Sequence, residues 1–341
     1  MKNFIKKDYR FQNFLKPNNK IRKLSNFSKK KPIYSSSNLN NKGKFLLIFL
    51  VFYLNIFYFS YQKYQSLIQQ KTNEYMAIAN QIASHYQGFL NYSQLLLNSV
   101  NHDILKTKSF GSQAVDILSS IDRVRNQNQN ANEIYYDAML YWIDSNKYLI
   151  ASSAGKVLKP IDLSSRDYLE KTQHNPWKLQ VGTSVVGALS GQNILPVAVG
   201  LVGEKGYHLG TSVLSVKIEA LIDLFEIENN LKGRFAIFNS EKKLILESKK
   251  KTFSENKKIL NLIKKYNPEH KNSVLSPFNV LKKNGNFVVA SKLIDHPYIV
   301  FYGVKNRVIY RDLIIELMPF FISFILLSTL LFLNRRIFFS R

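Results

Sequence analysis

The sequence contains no cysteine. That absence excludes a disulfide framework, thiolate metal sites and a cysteine nucleophile. Catalytic signatures are missing too. The six histidines stand at positions 85, 102, 174, 208, 270 and 296, with no H-E-x-x-H or comparable metal spacing. There is no G-x-x-x-x-G-K-[ST] loop and no G-x-S-x-G elbow. Gly182, Gly187 and Gly191 are spaced for turns, not for cradling phosphate. The chain is therefore not expected to be an enzyme, and no cofactor or metal is expected. Acidic residues are scarce: 23 Asp+Glu face 48 Lys+Arg, a formal charge of +25. Such an excess suggests nucleic acid or an anionic membrane as partner. Its placement decides between them. Residues 1–44 hold 13 Lys/Arg and one acid, Asp8, and the far end adds Arg335, Arg336 and Arg341. The charge flanks apolar runs, and no nucleic-acid module is visible. Nucleic acid is not an expected partner.

What is present begins with those two runs. Residues 45–61 read FLLIFLVFYLNIFYFSY, without a charge. Residues 313–333 read LIIELMPFFISFILLSTLLFL, with Glu316 near one end and Pro319 just inside it. A bilayer core of ~30 Å takes about 20 apolar residues, with a lower limit near 17. Both runs are expected to cross a membrane, the first as an uncleaved signal anchor, since no A-x-A-like cleavage site follows Tyr61. Basic residues precede the first and follow the second, which predicts two cytoplasmic termini and residues 62–312 on the outer side. In a bacterial inner membrane that loop is periplasmic. The tail 1–44 reads as a disordered topogenic segment, or as a basic amphipathic segment on anionic lipid. The end 334–341 is a short cytoplasmic tail. Neither holds a signalling module, so the output is expected in a separate kinase or cyclase.

The central region alternates long helical and short extended patterns, and its fold class is expected to be α+β. Residues 62–105 carry apolar residues at Ile68, Tyr75, Ala79, Ile82, Tyr86, Phe89, Leu96, Val100 and Ile104, which predicts one long helix. Its stripe can pack on the sheets that follow or on a twin helix in a homodimer. After an Asn/Gln-rich stretch at 126–132, strands are expected at 138–144, 148–152, 181–186, 194–202 and 208–218. A short helix should open near Asp162 or Ser164, either of which can cap it, and another should cover 219–227. A thinner copy follows, with strands at 234–238, 243–247, 286–293 and 298–302 and a helix at 255–266. The two sets read as PAS-like modules, 106–228 and 229–312.

This order resembles the double-Cache family of extracytoplasmic sensor domains. The carrying stretches are Asp162-Leu-Ser-Ser-Arg-Asp-Tyr168, similar to a D-x-S-x-R-D-Y/F element, and Val185 to Ile194, similar to the family's glycine-containing hairpin. The resemblance implies ligand capture in the module farther from the membrane, through Arg166 and Tyr168. Arg offers a planar fork to a carboxylate, and Tyr an amphipathic wall that can grip a cation. Arg166 can alternatively pair with Asp162 or Asp167, and Tyr168 can be core. Trp142, Trp177 and Tyr141 are further candidate walls. Tyr141 and Trp142 are strand neighbours, so at most one of them faces a given pocket. The acid that would hold an amino acid's ammonium group has only Glu204 as a counterpart, in a turn. The expected function is a membrane-bound sensor of a small extracytoplasmic molecule. The alternatives are the remnant sensor half of a histidine kinase or diguanylate cyclase, and an envelope interaction protein.

Overall fold

The computed structural model describes residues 41–127, 138–229, 232–248, 253–267, 272–276 and 285–339. Residues 1–40 and most of the Asn/Gln-rich stretch lie outside the described residues, as do the side chains from 334 onward.

One helix organises the molecule. α1 (Asn41–Thr107) has 67 residues and spans about 100 Å at ~1.5 Å per residue. Of its predicted stripe, Tyr75, Ala79, Ile82, Tyr86, Phe89, Val100 and Ile104 are buried and Ile68 and Leu96 are partly buried, while Leu97, which the spacing did not single out, is buried in place of Leu96. They pack on two sheets in turn. The first sheet contains β1 (Met139–Asp144), β2 (Tyr148–Ser152), β3 (Gly155–Asp162), β4 (Gln180–Val181), β5 (Val185–Val186), β6 (Asn193–Val202) and β7 (His208–Lys217), in the order β3-β2-β1-β7-β6-β4 with β5 also on β6. The second contains β8 (Arg234–Asn239), β9 (Leu244–Glu247), β10 (Asn272–Ser276), β11 (Asn286–Lys292) and β12 (Tyr298–Lys305), in the order β10-β11-β12-β8-β9. Every pairing is antiparallel. The first sheet meets the far end of α1, where Asn101 Nδ2 donates to the Gly200 carbonyl at 3.1 Å. The second meets its middle, where the Tyr75 ring lies 5.7 Å from Phe287 and 5.9 Å from Tyr302. Tyr86 sits between them, edge-on to Phe225 and to Tyr298.

Among the described residues five further α-helices follow: α2 (Ala114–Gln127), α3 (Asp167–His174), α4 (Ile218–Asn229), α5 (Lys257–Lys265) and α6 (Asn306–Phe339). α3 lies against β6 on the face of the first sheet away from α1, and α4 links the sheets. α5 places Ile259 and Ile263 in the core of the second sheet. Asn256 caps it, accepting from the backbone N–H of Lys258 at 3.1 Å and of Ile259 at 3.3 Å. Asn256→Ala is expected to lower stability by about 1 kcal/mol, read as a small downward shift of the melting temperature.

The structure corrects several expectations. β3, β10 and α2 are elements the sequence pattern did not single out. The short helix starts at Asp167, with Arg166 as its N-cap residue and no side-chain cap bond. Asp162 instead accepts from the Ser164 N–H at 2.8 Å, closing the turn before the helix.

The two apolar runs stand side by side. Among the described residues one helix is long and apolar enough to cross a membrane, the Asn306–Leu330 stretch of α6. Residues 45–61 are part of α1, and side chains such as Leu47, Phe52 and Phe57 are exposed. The runs touch where Tyr53 Oη and Ser328 Oγ lie 2.8 Å apart and the Tyr53 ring meets Phe324 edge-on.

Candidate ligand-binding site

Both faces of the first sheet are buried, and strict strand alternation sorts the side chains between them. Leu140, Trp142, Val197, Val199 and Leu214 face α1. Tyr141, Ile143, Ala198 and Val213 face the other way, where Tyr168 and Leu169 of α3 pack on them. Tyr141 pairs with Val213 across β1 and β7, and Val213 with Ala198 across β7 and β6, so the three form one row on that face.

A small cavity lies above this row. Tyr141, Val213 and Pro196 form its floor, Tyr168 and Arg166 one side, and Val185 and Val186 the opposite lip. Tyr168 is only 5% exposed. Its ring reaches that depth because residue 182 is glycine: a Cβ there would stand 2.7 Å from the ring and 2.8 Å from Pro196. Burial pushes the Tyr168 phenol up to about 12, while the Arg166 charge nearby pulls the other way. Its hydroxyl has no hydrogen-bond partner among the described residues. Arg166 is paired with neither Asp162 nor Asp167 among the described residues. Its Nη2 reaches across the mouth and donates to the Val186 carbonyl at 3.0 Å. The free space beneath is about 20 Å³, room for about one water molecule. No carboxylate lines it.

Arg166 and Tyr168 therefore come together, and the two tryptophans go elsewhere. Trp142 is in the core against α1, 1% exposed. Trp177 is 71% exposed, in a cleft between the two sheets. Pattern reading did not assign Pro196, Val213 or the Val186 carbonyl to a site, and it read Gly182 only as a turn glycine. A proline inside a strand run was the one available signal. On the second sheet the corresponding face is packed with Phe238, Phe253, Tyr266 and Phe301. The Phe238 and Tyr266 rings both stand edge-on to Phe301, at 5.5 and 5.6 Å. Among the described residues no group of three or more His, Asp or Glu could hold a metal ion.

The chain has the fold of double-Cache sensor domains. It is similar to the extracellular domain of a candidate histidine kinase, rpHK1S-Z16, with TM-score 0.54 and 13% identity over 70% of this chain and 95% of that one. A second such domain, soHK1S-Z6, gives TM-score 0.52 and 13% identity over 73% and 99%. The ligand-binding domain of the Pseudomonas fluorescens chemoreceptor CtaA, solved with L-isoleucine, gives TM-score 0.50 and 13% identity over 73% and 96%. These neighbours are sensor and ligand-binding domains, not enzymes. No family model and no curated protein matches the sequence.

Proposed function

We propose that the chain is a membrane-bound sensor subunit whose first-sheet cavity binds a small carboxylate. In this reading residues 45–61 and 313–333 both cross a bacterial inner membrane and both termini are cytoplasmic. Residues 62–312 are periplasmic, with 106–228 the distal module and 229–312 the proximal one. The contact of Tyr53 with Phe324 and Ser328 supports two spans running side by side. So do the exposed apolar side chains of both runs, such as Phe57 and Ile325. The chain catalyses nothing itself; a separate kinase or cyclase reads the movement of its spans, and two copies work as a dimer.

The observation that carries the ligand class is the lining. A guanidinium and a phenol without a hydrogen-bond partner converge on an apolar cavity that contains no acid. Both are donors. A carboxylate accepts from both at once, whereas an ammonium group can donate only to the phenol oxygen and is repelled by the guanidinium. Entry requires the Arg166 to Val186 bond to open. β5 has only two residues and pairs only with β6, so little holds that lip in place. A ligand that binds the opened and re-closed forms unequally shifts the population between them, which is the signal.

The test is a thermal-shift series on the full chain in lipid nanodiscs. Acetate, propionate and pyruvate are compared with ethylamine and propylamine. A ligand at 100 times its Kd stabilises by about 2.7 kcal/mol, so at least one acid should raise the melting temperature by several degrees and neither amine should. No effect from any acid, or an equal effect from the amines, overturns the reading.

A further inference from the structure

A second space separates the two sheets. One wall is the distal segment from Lys171 to Val181, the other is two proximal turns at Asn239–Glu241 and Asp295–Pro297, and its volume is about 480 Å³. That lies within the ~300–1,000 Å³ of small-molecule sites, whereas the Arg166 cavity has about 20 Å³.

The walls carry opposite charge. Lys171 and Lys178 stand on the distal side, Glu241 and Asp295 on the proximal side. Among the described residues no hydrogen bond or ion pair crosses between these walls. Each charge is instead held, where it is held, on its own side. Lys171 is 3.4 Å from Asp167, and Lys243 is 3.0 Å from Glu241. Asp295 Oδ2 accepts from Gln87 Nε2 of α1 at 2.5 Å, which leaves its other oxygen available. Lys178 has no carboxylate partner among the described residues. The fields nevertheless reach across. Lys243 first, and Lys171 from the opposite wall, hold the Glu241 carboxyl below its usual range. Burial lowers His296, against the opposing pull of Asp295, and Lys178 across the cleft lowers it further, which disfavours a positive charge on the acidic wall. Trp177 belongs to the distal wall, 71% exposed and with no ring partner among the described residues.

We propose that this cleft is a second ligand site, specific for a small zwitterion with an apolar body. The carboxylate of the ligand meets Lys178, its ammonium group meets Asp295 and Glu241, and its carbon skeleton lies on the Trp177 indole. This is the complement of the Arg166 cavity, whose lining has no carboxylate to pair with an ammonium group. A ligand held by both walls also ties the distal module to the proximal turn that Gln87 and Asn91 fasten to α1. Those fastenings are the Ile294 N–H to Gln87 Oε1 bond at 3.0 Å and the His296 to Asn91 bond at 2.8 Å.

The sequence has two tryptophans. Trp142 is sealed in the core, so a ligand-dependent change in indole emission reports Trp177. The probe is L-phenylalanine, added to the full chain in nanodiscs. Its matched single-charge analogues are 3-phenylpropionate and phenethylamine. Phenylalanine should change the emission at millimolar concentration, and each analogue should bind at least tenfold more weakly. Lys178→Gln and Asp295→Asn should each weaken phenylalanine binding at least tenfold. Both positions lie on the cleft surface, and circular dichroism checks that each variant is folded. Four results overturn the proposal: no Trp177 response, equal binding by 3-phenylpropionate, a response that survives both variants, or one abolished by Arg166→Gln but untouched by Lys178→Gln. The first three leave carboxylate binding beneath Arg166 untouched, the fourth would move the ligand to that cavity, and the acid series tests the cavity separately.

Discussion

Replacing Trp142 with alanine is expected to destabilise the folded chain by about 3–5 kcal/mol, the usual range for a fully buried large aromatic. The side chain is 1% exposed and packs in the cluster that joins the first sheet to α1. Its neighbours cannot collapse into the vacated space easily. Gly210 lies directly beneath: a Cβ there would be 2.4 Å from Trp142 Cζ2 and 2.6 Å from the Ile143 carbonyl. The backbone of β7 has thus been brought as close as a glycine allows, and it is fixed in register with β1 by the pairing of Asp144 with Gly210 and of Ile143 with Thr211. What remains is a cavity, with lost dispersion contacts on every side. The melting temperature should fall by on the order of 10 °C. Carboxylate affinity, measured below that transition, should stay within a few-fold of wild type, because Trp142 faces away from the cavity. A melting temperature within about 2 °C of wild type, or a selective loss of ligand from a protein of normal stability, would contradict this placement.

Trp142 also shows where sequence reading stops. The short apolar run Met139–Asp144 before a turn identifies a strand, and strand geometry separates Tyr141 from Trp142, but neither says which of them faces α1. A strand with one wet face would have answered the question through its polar residues. Here the burial runs through Leu140, Tyr141, Trp142 and Ile143 alike, and the choice depends on tertiary packing. The long helix was legible for the opposite reason. Polar positions such as Asn73, Gln81 and Asn98 mark its solvent side, with Ser93 and Asn101 the buried exceptions. The strands β6 and β7 were legible from their length and their bounding glycines. The cap of α3 was misread because Asp162 is satisfied within its own turn by Ser164. Trp177 went astray for a similar reason. Its segment is steered over β6 by the Gly200 N–H to Pro176 carbonyl bond at 3.0 Å, a contact between residues far apart in pattern terms. Arg166 and Tyr168 were proposed from the resemblance of Asp162–Tyr168 to the double-Cache element, not from pattern, because residues two apart do not share a helix face. They meet because Arg166 is the extended N-cap residue and Tyr168 lies in the first turn of α3.

Those two residues carry the second large effect. Arg166→Gln is expected to weaken binding of propionate by roughly ten- to a hundred-fold. A hydrogen bond to a charged group contributes about 1.5–3 kcal/mol, and ~1.4 kcal/mol corresponds to a factor of ten. Glutamine keeps a donor and much of the length but removes the charge and the fork. The unliganded protein should hardly change. Arg166 makes no ion pair among the described residues, and its bond to the Val186 carbonyl lies at the surface, where substitutions shift stability by about 0.5 kcal/mol or less. Arg166→Lys restores the charge without the planar fork, and should recover part of the affinity. The two effects then separate cleanly. Trp142→Ala lowers the melting temperature and spares affinity, whereas Arg166→Gln lowers affinity and spares the melting temperature. Calorimetric titration of propionate into nanodisc-borne protein measures the second. Binding by Arg166→Gln within about twofold of wild type would remove the guanidinium from the site, and the carboxylate assignment with it.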